Sequence, residues 1–138
     1  MLIHKAPLRI VFFATFLPLI FACSCYRPLT VSQIAGDYVS EYSYGREELT
    51  LRNDGSFAQQ IHLNSPPKDL ESAGTWEYDR ETRRVELENM RIVDDGFGRL
   101  LPDYDKPKLG LASFPVERNP LTGSLRLSQG DLNPFTKR

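Results

Sequence analysis

The sequence predicts an all-β domain: an antiparallel meander of about eight strands that forms a small barrel or half-barrel. Several segments alternate apolar and polar residues, as Glu48 to Arg52 does, and this is the pattern of a strand with one buried and one solvated face. Short turn signals such as Asn53 to Gly55 separate these segments, and no segment keeps the 3.6-residue period of a helix. Short strands joined by tight turns are typical of an up-and-down barrel, whose closure removes the unpaired sheet edges.

The N-terminus has the layout of an export leader. Lys5 and Arg9 supply a basic head, and an uncharged apolar run from Ile10 to Ala22 follows it. The run is shorter than the roughly 20 residues that a membrane-spanning helix needs, whereas the cores of signal peptides contain about 7–15. Pro18 lies inside the run, and proline costs about 3 kcal/mol within a helix. The domain is therefore expected to be preceded by a signal peptide helix, with an uncleaved membrane anchor as an alternative.

The residues before the first cysteine resemble the box that precedes the lipid-modified cysteine of bacterial lipoproteins. In that family an aliphatic residue stands three positions before the cysteine and a small residue directly before it, as Ile20 and Ala22 do here. Phe21 departs from the small or β-branched residue that is usual between them. The resemblance implies that residues 1–22 are a lipoprotein-type signal peptide and that Cys23 is the site of lipid attachment. Ordinary secretory cleavage is the alternative without a lipid.

The same resemblance implies a location. A lipid on Cys23 would anchor the chain to a membrane of the bacterial cell envelope, and Cys25 is the competing acceptor. Ser24 follows the modified cysteine, and by the sorting rule of enteric bacteria a residue other than aspartate there permits transfer to the outer membrane. We expect a lipid-anchored protein that faces the periplasm.

The remaining chain divides into a tether at 23–32, a lipocalin-like β domain at 33–129 and a tail at 130–138 without a pattern. The net charge of the whole chain is −1, with no clustered basic footprint, so nucleic acid is not an expected partner. Both cysteines stand at the leader junction, so the β domain has no internal disulfide and no thiolate metal site. Its stability must come from one hydrophobic core.

The first strands carry aromatic residues on one parity. Val31 to Ile34 fits one short helical turn, which Thr30 or Ser32 could cap. The segment from Ile34 to Tyr44 then predicts a strand with a broad aromatic face, because Tyr38, Tyr42 and Tyr44 share a parity.

A hairpin follows the first strand. Its turn is Asn53 to Gly55, where glycine can adopt a positive φ, and the returning strand runs from Ser56 to Leu63. Asn64 to Ala73 is expected to be a polar loop, and Gly74 to Asp79 a further strand.

The second half begins with a strand in which the alternation changes phase. Val85 and Leu87 share one parity and Met90 the other, so a β-bulge is expected near Asn89. The stretch from Asp94 to Gly110 is expected to be a long loop, a feature that is often functional.

A last hairpin is expected to close the domain. Leu111 to Val116 would pair with Ser124 to Ser128 across the turn from Asn119 to Gly123.

Three short motifs resemble those of the lipocalin-like domains of small bacterial lipoproteins, which are calycin-type antiparallel barrels. They are Gly36 to Tyr38, the hairpin from Leu49 to Phe57, and Gly74 to Trp76. The likeness covers roughly 34–87. It implies a barrel fold and the binding of a ligand or partner, and no single activity.

An aromatic pocket at the mouth of the barrel is the candidate binding site. Large aromatic side chains can form the apolar wall of a ligand pocket, and the alternative is that they fill a small core. The candidate residues are Tyr38, Tyr42, Phe57, Trp76 and Tyr78.

The residues do not predict a catalytic or metal centre. His62 lies between Ile61 and Leu63 and is expected on the solvated face, and no nucleophile-elbow pattern accompanies it. Four aspartates of the long loop could supply oxygens to calcium, but their spacing matches no known calcium loop, and a solvated loop is the alternative. These aspartates are Asp94, Asp95, Asp103 and Asp105.

The sequence therefore predicts non-catalytic binding of an apolar small molecule or of an envelope protein, without a cofactor. The membrane would be a further partner, through the lipid. An assembly module that acts through the 94–110 loop is the alternative, and a hydrolase is the interpretation that the residues favour least.

Overall fold

The computed structural model describes residues 28–128 and 133–138, so the predicted leader and Cys23 lie outside the described residues. One short helix precedes eight strands that follow one another in chain order. Their bounds are α1 Val31–Ile34, β1 Gly36–Tyr42, β2 Gly45–Leu51, β3 Ser56–Asn64, β4 Pro67–Asp79, β5 Arg84–Arg91, β6 Leu109–Arg118, β7 Leu125–Leu127 and β8 Phe135–Lys137.

Each strand pairs with the next in antiparallel orientation, and β8 returns to β1, so the sheet is a closed eight-stranded barrel. The predicted all-β antiparallel meander is confirmed. Among the described residues, no helix has the length and apolar character that crossing a membrane requires.

The barrel interior is filled by the inward-facing residues of the alternating strands. Tyr38, Leu49, Phe57 and Leu87 are all fully buried in this main core. Alternate residues point to opposite faces of a strand, so their neighbours along the chain face solvent. The core is continuous from the strands to α1, whose Ile34 is also fully buried.

The helix α1 covers one end of the barrel. Thr30 caps it: the Thr30 side chain accepts a hydrogen bond from the backbone N–H of Gln33, and the Gln33 side chain accepts one from the backbone N–H of Thr30. The hydroxyl of Tyr38 donates to the carbonyl oxygen of Ile34 at 2.5 Å, which fixes the end of the helix to β1. The predicted helical turn and its cap at Thr30 are confirmed.

Two local predictions in the sheet are also confirmed. Gly55 occupies the β2–β3 turn with a φ of 82°. The register between β5 and β6 shifts between Glu88 and Met90, and Asn89 has a φ of 69°, as expected of a bulge.

The expected polar loop from Asn64 to Ala73 is wrong. Most of it is the first half of β4, which pairs with β3 directly from Pro67 opposite Asn64. The segment presents only one large apolar residue to the interior, the buried Leu70. With so few apolar residues, the alternation that predicts strands elsewhere is absent here.

The expectation of a patternless tail at 130–138 is also corrected. Phe135 to Lys137 form β8, which pairs with both β7 and β1 and so closes the barrel. Phe135 is fully buried, and its ring contacts Phe114 edge-to-face with centroids 5.7 Å apart. A three-residue strand with one apolar side chain is too short to give a periodic signal.

The residues between β5 and β6, 92–108, form a capping segment that packs on the end of the barrel opposite α1. Val93 is buried there with Ile61, Leu63 and Leu70, a second cluster separate from the main core. Leu100, Tyr104 and Tyr44 of the β1–β2 turn pack against this cluster. The capping segment contains most of the predicted 94–110 loop, and it is folded onto the barrel.

Candidate functional site

Among the described residues, the strand pairing at the seam of the barrel extends over only part of its height. The strands β7 and β8 that fill the gap between β6 and β1 are three residues long. They reach β6 at 116–118 and β1 at Tyr38 and Val39. Among the described residues, β6 has no strand partner at 109–114 on the edge away from β5. This stretch of β6 lies at the end of the barrel that carries the capping segment.

A cavity of about 500 Å³ occupies this position. Its volume lies within the range of small-molecule sites, roughly 300–1,000 Å³. It opens to solvent and is bounded by β1, β2, β5, β6 and the capping segment. The lining combines apolar and polar side chains in similar measure, and its members include Tyr42, Glu47, Met90, Asp94, Leu101, Ala112 and Phe114.

The most unusual residue of the cavity wall is Glu47. It is only 4% exposed, because β2 turns Gly45, Glu47, Leu49 and Leu51 toward the interior and the residues between them outward. Glutamate is almost never so deeply buried unless it has partners.

A hydrogen-bond network holds this carboxyl group in place. The amide nitrogen of Gln59 on β3 donates to Glu47 and also to the carbonyl oxygen of Arg91, at 3.1 Å. The amide oxygen of Gln59 accepts from the backbone N–H of Arg91 at 2.8 Å and from the Ser72 hydroxyl. The network joins β2, β3, β4 and β5, so Glu47 has a fixed position at the edge of the cavity.

The environment of Glu47 favours its protonated form. Burial raises the pKa of its carboxyl group to about 7, and the nearby charge of Asp94 raises it further, while hydrogen bonds from Gln59 and Tyr42 act in the opposite direction. The Glu47 carboxyl group therefore ionises at a higher pH than an exposed glutamate does.

Two tyrosines stand between Glu47 and the capping segment. The rings of Tyr42 and Tyr44 stack with centroids 4.8 Å apart. The Tyr44 hydroxyl donates to Oδ2 of Asp94 at 2.9 Å, and Oδ1 of Asp94 accepts from the backbone N–H of Gly96 at 2.9 Å. Burial raises the pKa of both phenols above the usual value, so both remain hydrogen-bond donors.

Positive charge also borders the cavity. Arg91 and Lys108 are among its lining residues. The guanidinium of Arg91 donates through Nη2 to the carbonyl oxygens of Tyr104 and Asp105, at 3.4 and 3.0 Å, and so holds the capping segment. Among the described residues, neither Glu47 nor Asp94 forms an ion pair with a lysine, arginine or histidine.

The five predicted ligand-binding residues separate into two groups. Tyr42 lines the cavity. Tyr38, Phe57 and Trp76 are buried in the main core, and Tyr78 packs against that core. Trp76 also lines a second pocket, which lies between β4 and β5 outside the cavity described above. The role of all five residues as ligand contacts stays a prediction.

The sequence interpretation did not include Glu47 as a site residue. Its signal was present, because Glu47 shares its parity with Leu49 and Leu51 on β2. A charged residue at an inward position of a strand is a candidate functional group, since burial of a charge requires compensation. Gln59 carries the same kind of signal, because it shares its parity with Phe57 and Ile61 on β3, whereas Ser72 lies in a stretch of β4 without a clear alternation.

The histidine and aspartates that were considered for other chemistry have local roles. His62 lies on the outer face with 43% of its side chain exposed, and its Nδ1 is 2.8 Å from Asp69 across the β3–β4 pair. Asp95 accepts from the backbone N–H groups of Phe97 and Arg99, and Asp103 accepts through its carbonyl from Lys106. Within residues 28–128 and 133–138, no group of three or more acidic, histidine or cysteine side chains is arranged to hold a metal ion.

Comparison with protein families, with curated proteins and with solved structures gave no significant match to this chain.

Proposed function

We propose that the protein is a lipid-anchored lipoprotein of the bacterial envelope whose lipocalin-like barrel binds an apolar or amphiphilic small molecule. The observation that carries the binding function is the cavity of about 500 Å³ between the barrel wall and the capping segment. Its apolar side chains give affinity through removal of surface from water, and its polar groups give orientation.

The proposed ligand position differs from a pocket in the barrel centre. The main core around Phe57 and Tyr38 is closely packed, and both side chains are fully buried. The cavity instead uses Met90, Ala112 and Phe114 from the β5–β6 side and Leu101 from the capping segment. A ligand would bind between the barrel wall and this segment.

Filling the cavity tests the binding function. Ala112 on β6 lines the cavity, and Ala112→Phe places a ring there. Ala73→Phe is the matched control, because Ala73 is an exposed alanine on β4. Binding of the apolar fluorophore N-phenyl-1-naphthylamine to the purified full chain would be measured at equal detergent. The proposal predicts saturable binding by the wild-type chain, an affinity at least tenfold lower in Ala112→Phe and an unchanged affinity in Ala73→Phe. Equal affinity in all three proteins contradicts it.

The anchor and the location rest on the leader sequence. Intact mass of the membrane-extracted chain, compared with Cys23→Ala, tests them. A mass that begins at Cys23 and includes acyl chains, and that the variant lacks, supports the lipoprotein. A mass that retains Met1 indicates an uncleaved anchor, and an unmodified mass that starts after the leader indicates ordinary secretion.

The alternative is an assembly module that contacts another envelope protein through the 94–110 region. Large apolar side chains are exposed in this region and directly after it: Phe97 is 75% exposed and Leu109 52%, and Leu111, which follows the region on β6, is 77% exposed. Exposed apolar groups that lie together are typical of protein contacts. Crosslinking in cells with Phe97→Ser and Leu111→Ser tests this alternative, and an unchanged set of crosslinked proteins contradicts it.

The proposed function is non-catalytic. Hydrolysis of generic ester or phosphate substrates by the purified chain, lost in His62→Ala, would contradict it.

A further inference from the structure

Resting on the proposed function, we infer that the ligand of the cavity carries a cationic head group, as an alkylammonium does, which pairs with Glu47 while its apolar part lies against Met90, Leu101 and Phe114.

The first support is the charge at the inner end of the cavity. Glu47 and Asp94 both line it, and the two carboxyl groups are close enough for Asp94 to affect the ionisation of Glu47. Among the described residues, no lysine or arginine forms an ion pair with either carboxyl group. An ionised pair at this position therefore lacks a counter-ion from the protein, and a buried carboxylate without one is costly.

The second support is the position of the cations that do border the cavity. The guanidinium of Arg91 is directed to the carbonyl oxygens of Tyr104 and Asp105, at 3.4 and 3.0 Å. Lys108 is exposed. Among the described residues, neither cation forms an ion pair with Glu47, and the nearby charge of Asp94 disfavours ionisation of Glu47. The electrostatic environment at Glu47 is therefore negative when its carboxyl is ionised.

The third support is the aromatic surface beside the carboxyl groups. Tyr42 is a wall of the cavity and stacks on Tyr44, whose hydroxyl contacts Asp94. The face of a tyrosine ring attracts an ammonium group, and such contacts contribute more when water is excluded. An acyl carboxylate would meet repulsion from Glu47 and Asp94 at the same point.

Binding of a cation at Glu47 depends on pH. The titratable groups that face Glu47 are Tyr42 from β1, Tyr44 from the β1–β2 turn and Asp94 from the capping segment, and the charged side chains of Arg91 and Lys108 line the same cavity. Because the pKa of Glu47 is about 7, the carboxyl group is ionised in only a minority of the molecules at pH 6 and in most of them at pH 8. An ammonium ligand that pairs with the carboxylate should therefore bind more tightly at pH 8. An ammonium group with a lysine-like pKa stays charged across this range.

The test compares three ligands that have the same alkyl chain. Titration calorimetry of the purified full chain would use hexylammonium, hexanol and hexanoate at pH 8. The inference predicts that hexylammonium binds at least tenfold tighter than hexanol, and that hexanoate binds most weakly. The affinity for hexylammonium should also rise several-fold from pH 6 to pH 8, while the affinity for hexanol stays constant.

Matched variants test whether the preference for a cationic ligand depends on Glu47. Glu47→Gln keeps the shape of the side chain and should lower the affinity for hexylammonium at least tenfold more than it lowers the affinity for hexanol. Glu71→Gln removes one charge from an exposed position of β4 and should change neither. The ligand series and the pH dependence need only the wild-type chain, so they decide the question even if Glu47→Gln does not fold.

The outcomes separate the two proposals. Equal or tighter binding of hexanol, with the sensitivity to Ala112→Phe described above, overturns the cationic head group and leaves the cavity function standing. Tightest binding of hexanoate also overturns it. Absence of binding by all three ligands overturns both.

Discussion

The hydroxyl of Tyr44 lies 2.9 Å from Oδ2 of Asp94 and joins the β1–β2 turn to the capping segment across the end of the barrel. The same segment is held at other points, by Arg91 through the carbonyls of Tyr104 and Asp105 and by Val93 in the second apolar cluster. The cavity lies directly beneath these contacts, so the position of the capping segment determines how open the site is.

Removing the Tyr44 hydroxyl should loosen the capping segment. A hydrogen bond to a charged acceptor contributes about 1.5–3 kcal/mol. In Tyr44→Phe we expect faster amide hydrogen exchange at Asp95 and Leu101, which donate to Arg99 and Val93 within the segment. Exchange in β3 and β4 should change little.

Tyr38→Phe is the matched control for that experiment. It removes the hydroxyl that donates to Ile34 at the opposite end of the barrel. It should increase exchange near α1 and leave Asp95 and Leu101 unchanged. Equal effects of both variants on the capping segment would show that the Tyr44–Asp94 contact has no local role.

Stability should depend on pH through Glu47. The pKa of this group is about 7 in the folded chain and about 4.5 when it is exposed, so between these values the folded state binds more protons than the unfolded state. The stabilisation is therefore fully present below about pH 4.5, falls as pH rises and is lost above about pH 7, by about 3 kcal/mol in total.

Urea unfolding of wild type and Glu47→Gln isolates this contribution. The variant should gain about 3 kcal/mol relative to wild type between pH 4.5 and pH 8, because the glutamine does not ionise. Glu71→Gln should follow the wild-type curve. If the difference between wild type and Glu47→Gln is independent of pH, the carboxyl group does not titrate in this window.

The stability of the barrel should depend on its last strand, β8. Phe135 is fully buried against Phe114, and replacing a buried phenylalanine by alanine costs about 3–5 kcal/mol. Phe135→Ala should lower the free energy of unfolding in urea by that amount. Thr136→Ala, at a partly exposed position of the same strand, should cost less than about 1 kcal/mol. A small effect of Phe135→Ala would mean that β8 does not close the barrel in solution.

Closure of the barrel by β8 could not be predicted from the sequence pattern. The barrel class, the Asn53–Gly55 turn and the bulge at Asn89 each have a local pattern or a special backbone requirement, so they could be predicted. The first half of β4 and the strand β8 are specified by pairing with distant residues, and their own composition is polar or too short. Long-range pairing of this kind is not visible in local alternation.

Only part of the candidate site could be predicted from the sequence, for the same reason. Tyr42 was identified as a pocket residue from its parity, and it lines the cavity. Glu47 has the inward parity as well, but its partner Gln59 lies on the next strand. The sequence pattern also does not reveal the short lengths of β7 and β8.

Two glycines should respond differently to alanine. A Cβ at Gly74 would lie 1.9 Å from the carbonyl oxygen of Glu88 and 2.8 Å from the Phe57 ring, whereas a Cβ at Gly123 would meet no atom within 4 Å. Gly123 has a φ of 72°, so Gly123→Ala should cost about 1–2 kcal/mol from backbone conformation alone. Gly74→Ala should cost more, about 3 kcal/mol, because β3 and β5 would each have to move away from β4.

Thermal unfolding of both variants measures this difference. Equal midpoints for Gly74→Ala and Gly123→Ala would contradict the close approach of β5 to Gly74.

The most direct measurement for the account is a titration of the ¹⁵N-labelled full chain with hexanol, followed by NMR. The account predicts saturable shifts concentrated at the backbone amides of 90–95 and 110–114, which border the cavity, and their loss in Ala112→Phe. Shifts that do not saturate, or that cluster on the outer face around Thr75 and Glu77, would contradict the cavity as the binding site.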